Sequence, residues 1–152
     1  MPESEVLYLY RRLLPKQTAT AIHGGLETAF TLREGENELP VFDSSIVTPR
    51  STLQKVIDAK KKSAEEGDSK AIAFLDRCPD VKTLISREKW GVLRITRKFV
   101  EKLGLVISAS EPDGHCEILM NAEENAKFRL AVNEAMARGE IVLVTIEECL
   151  AE

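Results

Sequence analysis

The stretch Ser86–Met120, SREKWGVLRITRKFVEKLGLVISASEPDGHCEILM, holds the single tryptophan, the densest run of positive charge and the clearest hairpin signal in the chain. From 82 to 104 the basic residues are Lys82, Arg87, Lys89, Arg94, Arg97, Lys98 and Lys102. Only Glu88 and Glu101 oppose them, which leaves about +5 on a chain of formal net charge −4. Val92, Ile95, Phe99 and Leu103 recur at spacings of three and four, so the periodicity predicts a helix over 83–103. Ser86 is a candidate N-cap for it and Gly104 a candidate C′ residue. A short apolar run, Leu105–Ala109, comes next. Glu111-Pro112-Asp113-Gly114 is turn chemistry, since proline presets φ and Asp-Gly tolerates positive φ. Cys116–Met120 then reads as the returning strand of an antiparallel hairpin.

Helix, Lys-Leu-Gly-Leu-Val, hairpin and a further helix in that order resemble the recognition helix and wing of the winged helix-turn-helix superfamily, over residues 82–121. The resemblance implies a helix placed in the major groove of double-stranded DNA and a hairpin against its backbone. It makes Arg87, Lys89, Arg94, Arg97, Lys98 and Lys102 the DNA-binding candidates. The competing reading is one unbroken amphipathic helix with its basic residues on a solvated outer face. The stripe from Val92 to Phe99 keeps one phase, and Gly91 is the only breaker in reach.

Working outward, 152 residues fit one domain or a compact pair, and Cys78-Pro79 is the candidate boundary between 1–78 and 79–152. Hydrophobic residues at 43% and charged residues at 30% suffice for a buried core. The acidic balance argues against indiscriminate nucleic-acid coating, though a local basic face can still bind. Cys78, Cys116 and Cys149 are odd in number and far apart, which suggests neither a disulfide framework nor a zinc spacing. Three free thiols in a reducing cytoplasm are expected. The N-terminal segment lacks the pattern of a signal peptide, and no run approaches a membrane span, so no membrane association is expected.

In the remaining sequence, Val6, Leu7, Tyr10, Leu13 and Leu14 share a helical face, and with Arg11 and Arg12 late in the segment they predict a helix over 3–14, stopped by Pro15. Residues 18–42 change period and read as a small antiparallel meander, with Pro40 marking an edge strand. Thr48-Pro49 opens a second helix, with Ser51 and Gln54 as an alternative capping box. It carries Lys60, Lys61 and Lys62 on a solvated face. A short helix over 69–77 is expected to bury Ile72, Ala73 and Leu75. Asn121, with Glu123 and Glu124 after it, starts a helix to Arg138 that is expected to bury Ala126, Leu130 and Ala131, with Phe128 and Met136 as further candidates. The β-branched run Ile141–Ile146 reads as a buried strand whose nearest partner is the hairpin, and 145–150 as a last helical turn. The fold class is therefore α+β: small antiparallel β elements packed with about five helices, the C-terminal half resembling a winged helix.

Motifs for nucleotide, metal or nucleophilic chemistry are absent from the sequence, and two histidines nearly exclude His-based triads. His23 with Glu27, and the Asp113–His115–Cys116 turn, are the only places where chemistry is conceivable. No catalytic residue, cofactor or metal is expected. An enzyme would rest only on those two places, and two other functions lead: a DNA-binding regulatory or accessory protein, or a non-enzymatic protein-interaction module acting as adaptor or inhibitor. Retention on heparin that falls with salt separates them.

Overall fold

A computed structural model describes residues 8–22, 25–32 and 35–151. Tyr8–Leu13 alternates its side chains rather than following a helical period, and forms strand β1. Leu9 and Leu13 enter one core and Tyr10 another. The helix expected over 3–14 is thus a strand from Tyr8 on, and residues 1–7 lie outside the described part. Pro15 does not stop an element here; it opens helix α1, Pro15–Ile22. A 3-10 turn over Glu27–Phe30 follows, then strand β2, Glu38–Asp43. Among the described residues, only β2 survives of the meander expected over 18–42. The threonine and alanine alternation of 18–22 yields to a helix whose Thr18 and Thr20 hydroxyls donate to the carbonyls of Leu14 and Lys16.

The helices α2 (Pro49–Glu65), α3 (Ser69–Arg77) and α4 (Val81–Ser86) come next. Thr48 and Ser51 cap α2 reciprocally, with Pro49 at its first position, so the helix takes the Thr48 start, and Gln54 bonds Asp58 instead of forming a second capping box with Ser51. α3 buries Ala71, while Ile72 and Ala73 face outward, contrary to expectation. The bounds are those expected, and Asp68 caps the helix by accepting from the N–H groups of Lys70 and Ala71.

The segment expected as a helix over 83–103 divides into three. After α4 comes strand β3, Gly91–Thr96, and then the six-residue helix α5, Arg97–Lys102. β3 is paired on both sides and packed on both faces, so its apolar residues run Val92, Leu93 and Ile95, a pattern that imitates a helical stripe. The expected hairpin is present. Strands β4 (Val106–Ile107) and β5 (His115–Leu119) pair antiparallel, Val106 opposite Leu119. Gly114, at φ +94°, closes the turn by donating its N–H to the Glu111 carbonyl at 2.8 Å.

Helix α6, Ala122–Ala137, is capped by Asn121 and Glu124 as expected. Its buried stripe is Asn125, Phe128, Val132 and Ala135; Ala126 is exposed and Leu130 is 80% exposed. Apolar residues occur on several faces of this helix, and the aromatic pocket chooses Phe128. Its ring lies 5.1 Å from Phe30 and 5.7 Å from Phe99. Strand β6, Ile141–Leu143, pairs with β3 at the sheet edge rather than with the hairpin, and Val142 is exposed. Helix α7, Ile146–Leu150, begins at the Thr145 cap.

The six strands form one antiparallel sheet in the order β4-β5-β2-β1-β3-β6. Strands from both sides of Cys78-Pro79 alternate in it, since β1 and β2 lie between β5 and β3. One face packs against α1, the 3-10 turn, α5 and α6 around Phe30, Phe99 and Phe128. The other packs against α2, α4 and α7 around Leu53, Ile57 and Leu84. The molecule is α+β in three layers. Among the described residues, no helix is long and apolar enough to cross a membrane. All three cysteines are buried free thiols.

Candidate functional site

β1 pairs with β3 over six registers, from Tyr8–Thr96 to Leu13–Gly91. With β2 it pairs at only two, Leu9–Asp43 and Tyr10–Phe42. Beyond Tyr10 the strands part, and the cause is Pro40. The Asp43 N–H donates to the Gly114 carbonyl on the β5 side. Backbone groups alternate along a strand, so Phe42 and Pro40 turn theirs toward β1. Proline has no N–H to give, and the ladder fails there. In the sequence, Pro40 reads as the mark of an edge strand. β2 is interior, and the missing donor opens a local fork instead.

Arg11 fills the fork from one face of the sheet. Its Nε donates to the Ala29 carbonyl at 2.9 Å and its Nη1 to the Pro40 carbonyl at 2.8 Å. The guanidinium thus satisfies the carbonyl that the broken ladder leaves over. Burial, reinforced by the neighbouring charge of Arg12 and opposed by Glu36, pulls its pKa down to about 10, still protonated at neutral pH. Arg12 leaves the other face of the same strand. Its Nη1 donates to the Thr52 carbonyl of α2 at 3.2 Å, and its guanidinium lies 5.0 Å from the centre of the Phe42 ring. Burial lowers the pKa of Arg12 as well. Among the described residues, no carboxylate pairs with it.

The fork is the floor of a cleft of about 770 Å³, within the range of small-molecule sites. α2 supplies Lys55, Val56 and Lys60 to one wall; Thr31, Leu32 and Glu36 line the opposite side. Asn125 and Asn133 of α6 fix that side. Asn125 Nδ2 donates to the Phe30 carbonyl at 2.7 Å, and Asn133 Oδ1 accepts from the Leu26 N–H at 3.3 Å. The β5 turn contributes Asp113, 3.9 Å from Lys55 Nζ, and His115, whose ring meets Phe42 edge-on at 5.7 Å. A backbone hydrogen bond from His115 holds the Asp113 carboxyl below the ordinary range. Trp90 completes the rim. It follows Lys89, the one non-glycine residue at positive φ among those described, at +63°.

The residues singled out in the sequence are dispersed. Arg94 sits in mid-β3, ion-paired with Glu148 of α7 and stacked on Tyr8 and Tyr10 at 5.4 and 5.7 Å. Arg97 pairs with Glu101 at 3.3 Å and Lys102 with Glu140 at 3.1 Å. These two and Lys98 lie on α5, on the face of the sheet opposite Arg94. Arg87 is the C-cap of α4, and Lys89 lies in the loop after it. The six therefore do not share one surface. Strand alternation also divides the Asp113–Cys116 turn, because Cys116 is buried in the core beneath β5 while His115 faces the cleft. Among the described residues no group of three His, Cys, Asp or Glu is placed to hold a metal ion. His23 lies outside the described residues, and so does the side chain of Glu27.

Arg11 and Arg12 do not stand out as site residues in the sequence, because they fall at the end of an expected helix. The signal was the pair itself, two adjacent arginines at 11 and 12. As a class, this is a three-layer α+β protein with a cationic cleft at a parted strand pair. No family model, curated protein or solved structure matches the chain.

Proposed function

We propose that the protein is a non-enzymatic binding module that takes an anionic group in the cleft at the sheet fork. The single observation that carries this is Arg12. It is a partly buried guanidinium held by a carbonyl and an aromatic ring, with Nε and Nη2 unused and no carboxylate beside it among the described residues. Burying a charge without a counter-charge is costly, and a bound anion supplies one. Arginine geometry suits a carboxylate or a phosphate through paired N–H donors. Arg11 adds a second positive charge, fixed in place by two carbonyls.

The test is a titration of wild type and Arg12→Met with benzoate and inorganic phosphate at low salt, followed by amide shifts in NMR spectra. Shifts are expected around residues 11–12, 55–60 and 113–115, and Arg12→Met should weaken binding at least tenfold while the rest of the spectrum is preserved. Equal binding by the two proteins, or shifts elsewhere, would overturn the reading. Duplex DNA is the rival ligand, favoured by the net positive segment 82–104. Salt-dependent duplex binding that is lost in an Arg97→Ala, Lys98→Ala, Lys102→Ala variant and retained in Arg12→Met would put DNA in the lead.

A further inference from the structure

Resting on that reading, we infer that the anion is a phosphate monoester in its dianionic form, its organic part lying on the apolar rim formed by Trp90, Leu14 and Val56. Charge counting selects the dianion. The described cleft residues include four cationic side chains, Arg11, Arg12, Lys55 and Lys60, against two carboxylates, Glu36 and Asp113. That leaves +2 before any charge on His115, within a chain of net charge −4. A carboxylate neutralises half of this. A phosphate monoester, with a second pKa of about 6, carries nearly two negative charges at neutral pH and three acceptor oxygens.

The cations are also arranged around a volume rather than along a line. Arg11 and Arg12 enter the fork from opposite faces of β1, and α2 brings Lys55 and Lys60 to one wall, Lys60 with its Nζ 5.0 Å from the centre of the Phe74 ring of α3. Lys55 Nζ stands 5.9 Å from the centre of the Phe42 ring that Arg12 also covers, so these two charges lie against one aromatic plate. A tetrahedral anion, with acceptors in more than one direction, is suited to charges placed on different sides of it.

The rim accounts for the organic part. A cleft of about 770 Å³ is far larger than a phosphate group, and Leu14 is half exposed at its mouth. Trp90 is held there by backbone geometry that a lysine rarely adopts. Lys89 is at φ +63°, and the Trp90 N–H donates to the Leu84 carbonyl at 3.2 Å. Strain of this kind costs about 1–3 kcal/mol and tends to collect at ligand sites.

The experiment uses Trp90, the only tryptophan, as its reporter. The full chain is titrated with phenyl phosphate, benzoate and inorganic phosphate at pH 7.5, by fluorescence and by calorimetry. The expected order is phenyl phosphate tighter than inorganic phosphate, and tighter than benzoate by tenfold or more. Lys60→Gln should narrow the gap between phenyl phosphate and benzoate several-fold without altering the fold. Benzoate bound as tightly as phenyl phosphate would overturn the dianion while leaving the anion reading intact. Inorganic phosphate equal to phenyl phosphate would overturn the role of the apolar rim. Binding of none of the three would remove both this inference and the reading on which it rests.

Discussion

The two sides of β1 differ in kind. Toward β3 it is zipped along its whole length, with apolar side chains sealed on both faces. Toward β2 it is paired for two residues and then opens, and charged side chains occupy the gap. One side is built for stability and the other for exposure of cationic groups. A single residue type explains the asymmetry: proline at 40 removes one donor from an interior ladder, and arginine at 11 repairs the carbonyl but not the strand contact.

Breaking the sealed side should have the largest effect. Phe128→Ala empties a pocket between Phe30 and Phe99 and is expected to cost about 3–5 kcal/mol in denaturant unfolding. Arg12→Met in the same assay should change stability by under about 1 kcal/mol, because most of its donors already face the open cleft. Similar losses for both would remove the division of labour between the two sides.

A smaller loss is expected at the start of β3. A Cβ on Gly91 would stand 2.8 Å from the Thr18 hydroxyl oxygen of α1. Gly91→Ala should therefore destabilise by about 1–3 kcal/mol. Adding Thr18→Ala should recover most of that loss, a coupling readable by a double-mutant cycle. Additive effects would mean that α1 does not pack against β3 as described.

At the paired end of β2, the Asp43 carboxylate accepts hydrogen bonds from the Ser110 hydroxyl at 2.7 Å and the Ser45 N–H at 2.9 Å. Burial alone would raise its pKa; the hydrogen bonds from Ser110 and Ser45 outweigh this and hold it below the usual range. A depressed folded pKa contributes stability above the ordinary aspartate value of about 3.9, and that contribution is lost as pH falls through the folded value. Asp43→Asn should thus be less stable than wild type at pH 7, and the gap should close in acid below about pH 4. A gap that stays constant with pH would show that the ionised form is not what the hydrogen bonds stabilise.

The smallest effect concerns the fork itself. Pro40→Ala restores an N–H where Arg11 already holds the carbonyl, and stability should move by less than about 1 kcal/mol. The new amide should exchange rapidly with solvent. Slow exchange would mean that the ladder has closed, and ligand binding should then fall.

Local chemistry was legible in the sequence wherever a few adjacent residues decide the outcome. The caps at Thr48 and Asn121 and the Glu111–Gly114 hairpin turn belong to this class, because their hydrogen bonds close within three or four residues. Tertiary structure alone decided that 8–13 and 91–96 are strands. A strand covered on both faces loses the alternation that would reveal it, and its apolar run then matches a helical stripe as well as an extended one. The cleft was illegible for a related reason. Arg11 and Arg12 meet Lys55 and Lys60 only when β1 lies beneath α2, and the gap between the strands exists only because Pro40 falls opposite β1 in the folded register.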